Sequence, residues 1–454
     1  MKNLGKAQNI HCIGIGGTGV SGLARILMHM GKTVTGSDEK ESQTVLNLED
    51  EGIKVTIGHK AQNAKSADIV VYSQAIPENN PERVWAKEHN IPEVSYSEAV
   101  GELTQERKTI CISGTHGKTT TTGLLTAAFL AAKQDTTVIV GSNILELENK
   151  NERLGKGDTF ILEACEYRRS FLHYEPHVAV ITNIEADHLD YYKDLKDYQS
   201  AFAEFIQKVP ENGFAVINGD DANIVPILKK TKARLARFGV KEGNDYILKE
   251  NKIYHGGKVI AELNLQIPGL HNLLNATAAL VVCNEMGLNL KAALKGINAY
   301  KGAGRRFEHI TRLGKTEFYD DYGHHPTEIK ATLKALREKF GKHSKILCIF
   351  QPHQYSRTYK LLSVFASAFG DANKIIIPNI IRARDTEEDM KKVDVAKLVT
   401  AIQKYQPNVK DGKDFPTTAQ LVKDTMENYD VIITMGAGDV WKIHKLVQDL
   451  FTAP

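Results

Sequence analysis

Apolar residues fall along the chain in short β-branched runs separated by polar segments of helical spacing or by turns. In the first hundred residues the runs are "NIHCIGI", "TVTGS", "KVTIG" and "DIVVYS". They are followed, after the polar connector "GELTQERK", by "KTICIS", "DTFILE" and "HVAVIT" and then by the helical pattern "NLLNATAALVVCNEMG". Beyond the glycine-rich, basic "KGAGRRFE" come "KTEFYD", "SKILCIF", "KIIIP" and "DVIITM". Strand and helix signals that alternate in this way predict βαβ units and an α/β class with largely parallel, doubly wound sheets. The two connectors predict three domains, 1–104, 105–306 and 307–454, each built on an open sheet. No repeat and no low-complexity tract is visible.

Composition changes this picture little. A length of 454 residues agrees with three domains at ~150 residues each. The 58 basic and 55 acidic residues nearly cancel. The densest basic run, "LKKTKARLAR", has helical spacing and reads as a solvated helix face, so no nucleic-acid partner is expected. The beginning "MKNLGKAQNI" has no apolar core, and no segment reaches the ~18 apolar residues that a membrane span needs, so a cytoplasmic protein without a membrane partner is expected. Five cysteines without a C-x-x-C pair argue for a reducing compartment and against zinc. Cys12, Cys111 and Cys348 lie in strand-like runs, and Cys165 is expected to pack.

Candidate chemistry begins at "CISGTHGKTTTTGLL". The P-loop pattern G-x-x-x-x-G-K-[ST] would place its first glycine at Ile112, whereas here Gly114 and Gly117 are separated by two residues. Strand, tight turn and helix nevertheless supply backbone amides and a positive helix end for one anion. Lys118 is placed to reach the outer phosphates and Thr119 to bind magnesium, while Leu124, Leu125, Ala128, Phe129 and Ala132 form the buried stripe of the following helix. Thr119 to Thr122 are poor helix starters, which favours hydroxyls placed near phosphate and metal over a plain turn. Glu163, at the end of "DTFILE", is a candidate magnesium carboxylate, and "HVAVITNIEADHLD" carries Asn183, Asp187 and His188 to the same sheet edge.

A second glycine turn, "GIGGTG", places Gly14, Gly16 and Gly19 after a strand, with Asp38 at the end of the next. Pattern alone leaves three readings open: a dinucleotide such as NAD, another diphosphate ligand, or a structural turn.

In chain order, "GIGGTGVSGLA", "SGTHGKTTTT", "EACEYRRSFL", "TNIEADHLDYY", "GLHNLLNATAAL", "GAGRRFE", "DDYGHHPTEI" and "FQPHQYSRT" resemble the Mur ligases, ATP-dependent amide-forming enzymes of peptidoglycan precursor synthesis. The resemblance spans nearly the whole chain, is strongest to the alanine-adding branch, and implies Rossmann-like outer domains, 1–104 and 307–454, around a central domain, 105–306, like a P-loop ATPase. It implies that L-alanine is joined to the lactyl carboxylate of UDP-N-acetylmuramate through an acyl phosphate, with ATP and two Mg²⁺ ions. Gly114, Thr115, His116, Gly117, Lys118, Thr119 and Thr120 would hold the phosphates of ATP, with Asn272 and Asn275 on its adenine side and Arg306 and Asp321 closing onto it. Thr119, Glu163 and His188 would bind the metal ions, and Lys118, Glu163, His188 and His324 would be the catalytic group. His353 and Arg357 would meet the amino acid. Under the same resemblance Gly14, Gly16, Gly17, Thr18, Gly19, Ser37, Asp38 and Ser73 would bind the UDP-sugar, which favours UDP over NAD.

Of His324 and His325 only one can face the reaction, and His324 is the expected one. Two departures stand out. Gln354 occupies a position where many relatives have Arg, and Phe202 falls near the site of the carbamylated lysine of sister ligases, so no such modification is expected. The rival readings are a recycling ligase that adds a tripeptide to the same sugar nucleotide and, in another class, a nicotinamide-dependent oxidoreductase or nucleotide sensor. The oligomeric state is left open.

Overall fold

A computed structural model describes residues 4–452. Three sheets follow one another along the chain. The first, of order β3-β2-β1-β4-β5, is wholly parallel and consists of β1 (Asn9–Ile13), β2 (Thr33–Asp38), β3 (Lys54–Ile57), β4 (Ile69–Tyr72) and β5 (Glu93–Ser95). Ile10, Cys12 and Ile13 of β1 are buried, as a central strand covered on both faces requires. Strand order reverses beside β1, so the turn after it opens where ligands bind in such sheets.

The second sheet contains β6 (Lys108–Ser113), β7 (Thr137–Ile144), β8 (Lys150–Arg153), β9 (Thr159–Glu163), β10 (Pro176–Ile181), β11 (Phe214–Asn218), β12 (Arg234–Gly239), β13 (Tyr246–Lys249), β14 (Lys252–His255) and β15 (Lys258–Glu262). Its order is β15-β14-β13-β12-β11-β10-β6-β9-β7-β8. The strands from β12 to β7 run parallel, while β8, β14 and β15 are antiparallel to their neighbours. Register decides what surrounds the loop after β6: Ile112 pairs with Glu163 on one side and Ser113 with Ile181 on the other. The strand ends thus deliver Glu163 and Asn183 to either flank of that loop.

The third sheet, of order β16-β17-β21-β18-β19-β20, comprises β16 (Glu308–Leu313), β17 (Thr316–Asp321), β18 (Ile346–Phe350), β19 (Lys374–Ile377), β20 (Val409–Asp411) and β21 (Val431–Met435). Only the β16–β17 hairpin is antiparallel. Ile346, Cys348, Phe350, Ile433 and Met435 face one apolar layer, and Leu347, Ile349 and Ile432 face the other, the alternation expected of central strands.

The described chain forms two compact units. One runs through Asp187 and takes in Asp194–Leu265 and Leu274–Lys301; the other consists of His188–Lys193, Gln266–Leu273 and the chain from Gly302 onward. Within the first unit, the helix Thr18–His29 lies against β8. The Asn151 side-chain amide donates to Thr18 O at 2.7 Å, and Lys150 pairs with Glu51 at 3.4 Å. Gly101 lies so close to the His173 carbonyl that a side chain at that position would collide with it.

The structure corrects two expectations. "LKKTKARLAR" is not a helix: a 3₁₀ turn, Val225–Lys230, precedes β12, where Ala236 and Phe238 point inward beside β11. Positive charges had masked a period of two, and pairing with β11 overrides the helical spacing. Cys165 is exposed, because the chain has already left the sheet two residues after β9 ends.

Candidate active site

The shortened loop has the geometry of an anion cradle. Gly114 has φ of 136° and Gly117 of 83°, both unfavourable for a residue with Cβ, and the helix Lys118–Ala131 begins at once. Asn183 shapes the turn. Its backbone carbonyl accepts from Thr115 N at 3.0 Å, its side-chain oxygen accepts from His116 N at 2.9 Å, and its side-chain nitrogen donates to His116 O at 2.9 Å. Two loop amides are therefore spent on Asn183, and those that can face an anion are the first-turn amides of the helix, which have no partner within it.

Thr119 Oγ1 donates to Glu163 Oε1 at 2.9 Å, while Glu163 Oε2 accepts from Gly141 N at 2.6 Å. A hydroxyl and a carboxylate side by side at a strand end are hard oxygen donors of the kind that Mg²⁺ takes, so these residues fit such an ion. The rest of the threonine run does other work. Thr122 Oγ1 bonds back to Lys118 O at 2.9 Å, and Thr121 is fully buried. Asn275 stands against Gly117, its Oδ1 2.6 Å from where a Cβ would lie.

Lys118 Nζ meets Gly114 O at 2.5 Å, Thr115 O at 3.0 Å and Glu166 Oε2 at 3.1 Å. Burial works against its charge, but the acidic groups around it, Glu166 foremost and then Cys165 and Glu163, together offset this and raise its pKa above the ordinary lysine value. Glu166 and Asn183 are the partners that sequence reasoning did not assign a role. Glu166 is the second acid of "EACE", and nothing local distinguishes a buried carboxylate from a solvated one. Phe202 is fully buried against Phe171, with ring centroids 5.2 Å apart, and offers no amine for modification.

In the glycine turn of the first sheet, Gly16 N donates to Asp38 Oδ2 at 2.9 Å, and Ser73 Cβ lies 3.1 Å from where a Gly14 side chain would start. Gly14, Gly16, Asp38 and Ser73 thus come together. Gly17 caps the following helix, which starts at Thr18, and Gly19 is covered by the Tyr96 ring. Ser37 faces the other way: it is fully buried, and its hydroxyl donates to Glu82 Oε2 at 2.6 Å. Glu82 also meets His59 Nδ1 at 3.2 Å, and although burial opposes the charge, the His11 ring 3.8 Å away and hydrogen bonds from Ser37 and Asn63 bring its pKa down to about 2.

The second unit holds the remaining candidates. Arg305, with φ of 58°, reaches Asp320 Oδ2 at 2.7 Å and donates to the carbonyls of Gly436 and Gly438 at 2.7 and 2.8 Å. Both guanidinium groups lie over the Tyr322 ring, Arg305 at 5.2 Å and Arg306 at 4.9 Å from its centroid. Asp321 accepts from Phe307 N at 2.8 Å and Gly323 N at 2.7 Å; burial dominates and pushes its pKa up to about 6, with Arg306 pulling the other way. His325 caps the helix Pro326–Phe340 in a capping box with Glu328, and its side chain is turned to that task. The His324 ring lies 6.4 Å from that of His353. Arg357 donates to His353 O at 3.3 Å, and Gln354 is buried, donating to Ala383 O at 3.0 Å rather than reaching outward. Asn272 donates to Pro268 O at 2.7 Å, and His188 has φ of 52°. Both belong to this second unit, unlike Glu163 and Asn275.

Three family models match the chain in order: the Mur ligase family, catalytic domain on residues 9–108; the Mur ligase middle domain on 112–283; and the Mur ligase, glutamate ligase domain on 305–438. The chain is similar to the UDP-N-acetylmuramate--L-alanine ligase of Clostridium novyi (strain NT), at 38% identity over 97% of each chain. It is likewise similar to that of Acetivibrio thermocellus, at 40% identity over 97% of this chain and 96% of the relative. Among solved structures, a UDP-N-acetylmuramate-alanine ligase from Thermotoga maritima superposes with a TM-score of 0.81 at 26% identity, over 98% of this chain and 99% of that one.

Proposed function

The chain belongs to the Mur ligase family, and from that premise we propose that it is the ATP-dependent ligase that joins L-alanine to the lactyl carboxylate of UDP-N-acetylmuramate in peptidoglycan precursor synthesis. The observation that carries the reading is the cluster at the end of β6. A glycine turn, the Lys118 ammonium and the Thr119–Glu163 pair, with its 2.9 Å hydrogen bond, gather at the carboxyl ends of the interior strands β6 and β9, in a chain similar over nearly its full length to alanine ligases.

A carboxylate and an amine do not condense at neutral pH because hydroxide is a poor leaving group. Transfer of the γ-phosphoryl group to the lactyl carboxylate makes an acyl phosphate; the alanine amine then attacks the carbonyl carbon and inorganic phosphate leaves. Lys118 and the first-turn amides hold the triphosphate and stabilise charge on its oxygens. Thr119 and Glu163 would hold Mg²⁺, which when bound there neutralises phosphate charge. Gly14, Gly16, Asp38 and Ser73 would hold the UDP end, which fixes the lactyl group by its handle. His324, His353 and Arg357 would receive the amino acid, the guanidinium being suited to its carboxylate. The reading assigns these tasks to three domains, 1–104, 105–306 and 307–454, of a cytoplasmic enzyme.

The test is ADP release in the presence of ATP, Mg²⁺ and UDP-N-acetylmuramate, with L-alanine compared against a murein tripeptide. Alanine-dependent release is expected; tripeptide-dependent release alone would assign the recycling reaction. Lys118→Ala is expected to abolish turnover and leave UDP-sugar affinity nearly unchanged. A loss of that affinity, measured by calorimetry, would contradict the separation of the two sites.

A further inference from the structure

An ammonium has three N–H donors, and that of Lys118 is met by four oxygens: Gly114 O at 2.5 Å, Thr115 O at 3.0 Å, and Glu166 Oε2 and Oε1 at 3.1 and 3.3 Å. The two carbonyls belong to the loop that carries the lysine and move with it. Glu166 comes from another element, the turn after β9. It is fully buried and is fixed by the Tyr198 hydroxyl, which donates to Glu166 Oε1 at 3.0 Å and lies 3.2 Å from Thr115 Oγ1. A phosphate oxygen that takes an N–H from Lys118 must displace one of these acceptors. The carboxylate is the one that carries the same sign of charge as the phosphate and is not part of the loop.

We propose that Glu166 is a positioning residue that shares Lys118 with the nucleotide: it yields the ammonium to the terminal phosphate as ATP binds and takes it back as inorganic phosphate leaves. Tyr198 keeps the carboxylate within reach throughout. The inference rests on the ATP-dependent reading above. It separates affinity from turnover. Removing the competing charge strengthens nucleotide binding and slows product release, whereas a residue that served packing alone would weaken both binding and fold.

The experiment is titration of the full-length protein with ATP and with ADP, each with Mg²⁺, by calorimetry, alongside steady-state kinetics. Glu166→Gln is expected to tighten ATP by about tenfold, the size of one charged hydrogen bond, to change ADP affinity far less because ADP lacks the phosphate that takes the ammonium, and to lower kcat while KM for ATP falls. Glu166→Asp, which keeps the charge, restores part of kcat. Tyr198→Phe, which loosens the carboxylate without removing it, shifts affinity in the same direction by a smaller factor. Equal or weaker ATP binding by Glu166→Gln, with wild type binding ATP, would overturn the inference alone; a wild type that binds no ATP would overturn the functional reading beneath it. If thermal melting shows that Glu166→Gln does not fold, Tyr198→Phe decides: tighter binding supports the inference, and unchanged or weaker binding ends it.

Discussion

At the scale of single residues, Asp321 couples burial to pH. Its folded pKa of about 6 lies above the ordinary carboxylate value because burial disfavours the charged form. A raised carboxylate contributes stability that is fully present below the ordinary value and is lost as pH rises through about 6. If the ionised form serves the nucleotide, activity follows the opposite course, with an acid limb in kcat/KM near pH 6. Arg306 pulls this pKa down, so Arg306→Met should move the limb to higher pH, and a carboxyl NMR titration of Asp321 should move with it. A limb that stays in place would remove Asp321 from the pH response. Residues were read from sequence where their chemistry is local, as with Lys118 and Thr119. Glu166 was not legible, since its role depends on burial, and Ser37 was expected to meet the sugar nucleotide although its side chain turns to Glu82. The direction in which a strand-end side chain points is decided by the layers packed on either face.

At the scale of elements, the loop from Gly114 to Lys118 works because its glycines admit left-handed backbone. At Gly117, with φ of 83°, an added Cβ would also lie 2.6 Å from Asn275 Oδ1. Gly117→Ala is therefore expected to weaken ATP binding by at least about tenfold, from ~1–2 kcal/mol of backbone strain and the displaced Asn275, and to leave UDP-sugar binding intact. Calorimetry with each ligand checks both halves; unchanged ATP affinity would mean that the turn does not grip phosphate. The strand runs β1, β4, β6, β9, β10, β18 and β21 were legible because largely buried parallel strands are near-continuous apolar blocks. The short or edge strands β5, β8, β13 to β16 and β20 were not, for their sequences are polar on one or both faces and are held by neighbours distant in the chain. β12 was mistaken for a helix face for the same reason.

At the scale of the whole molecule, the first unit joins the sheet with the Gly14 turn to the sheet with the Lys118 loop, and the junction is tight. Gly101 admits no side chain beside the His173 carbonyl, and His173 closes the 3₁₀ stretch that begins one residue after Glu166. Gly101→Val is expected to lower the melting temperature by several degrees, as overpacking of ~1–3 kcal/mol does in a chain of this size, and to raise KM for the sugar nucleotide more than KM for ATP. A variant with normal melting and normal KM values would show that the junction tolerates displacement. Alternation of strand and helix, the two glycine turns and the order of the motifs were written in the sequence, because each depends on neighbours a few residues apart. Which acid holds Lys118 and which histidine caps a helix were decided only by the tertiary structure. Strand register and burial bring together groups tens of residues apart in the chain, and only in that arrangement does charge meet its partner.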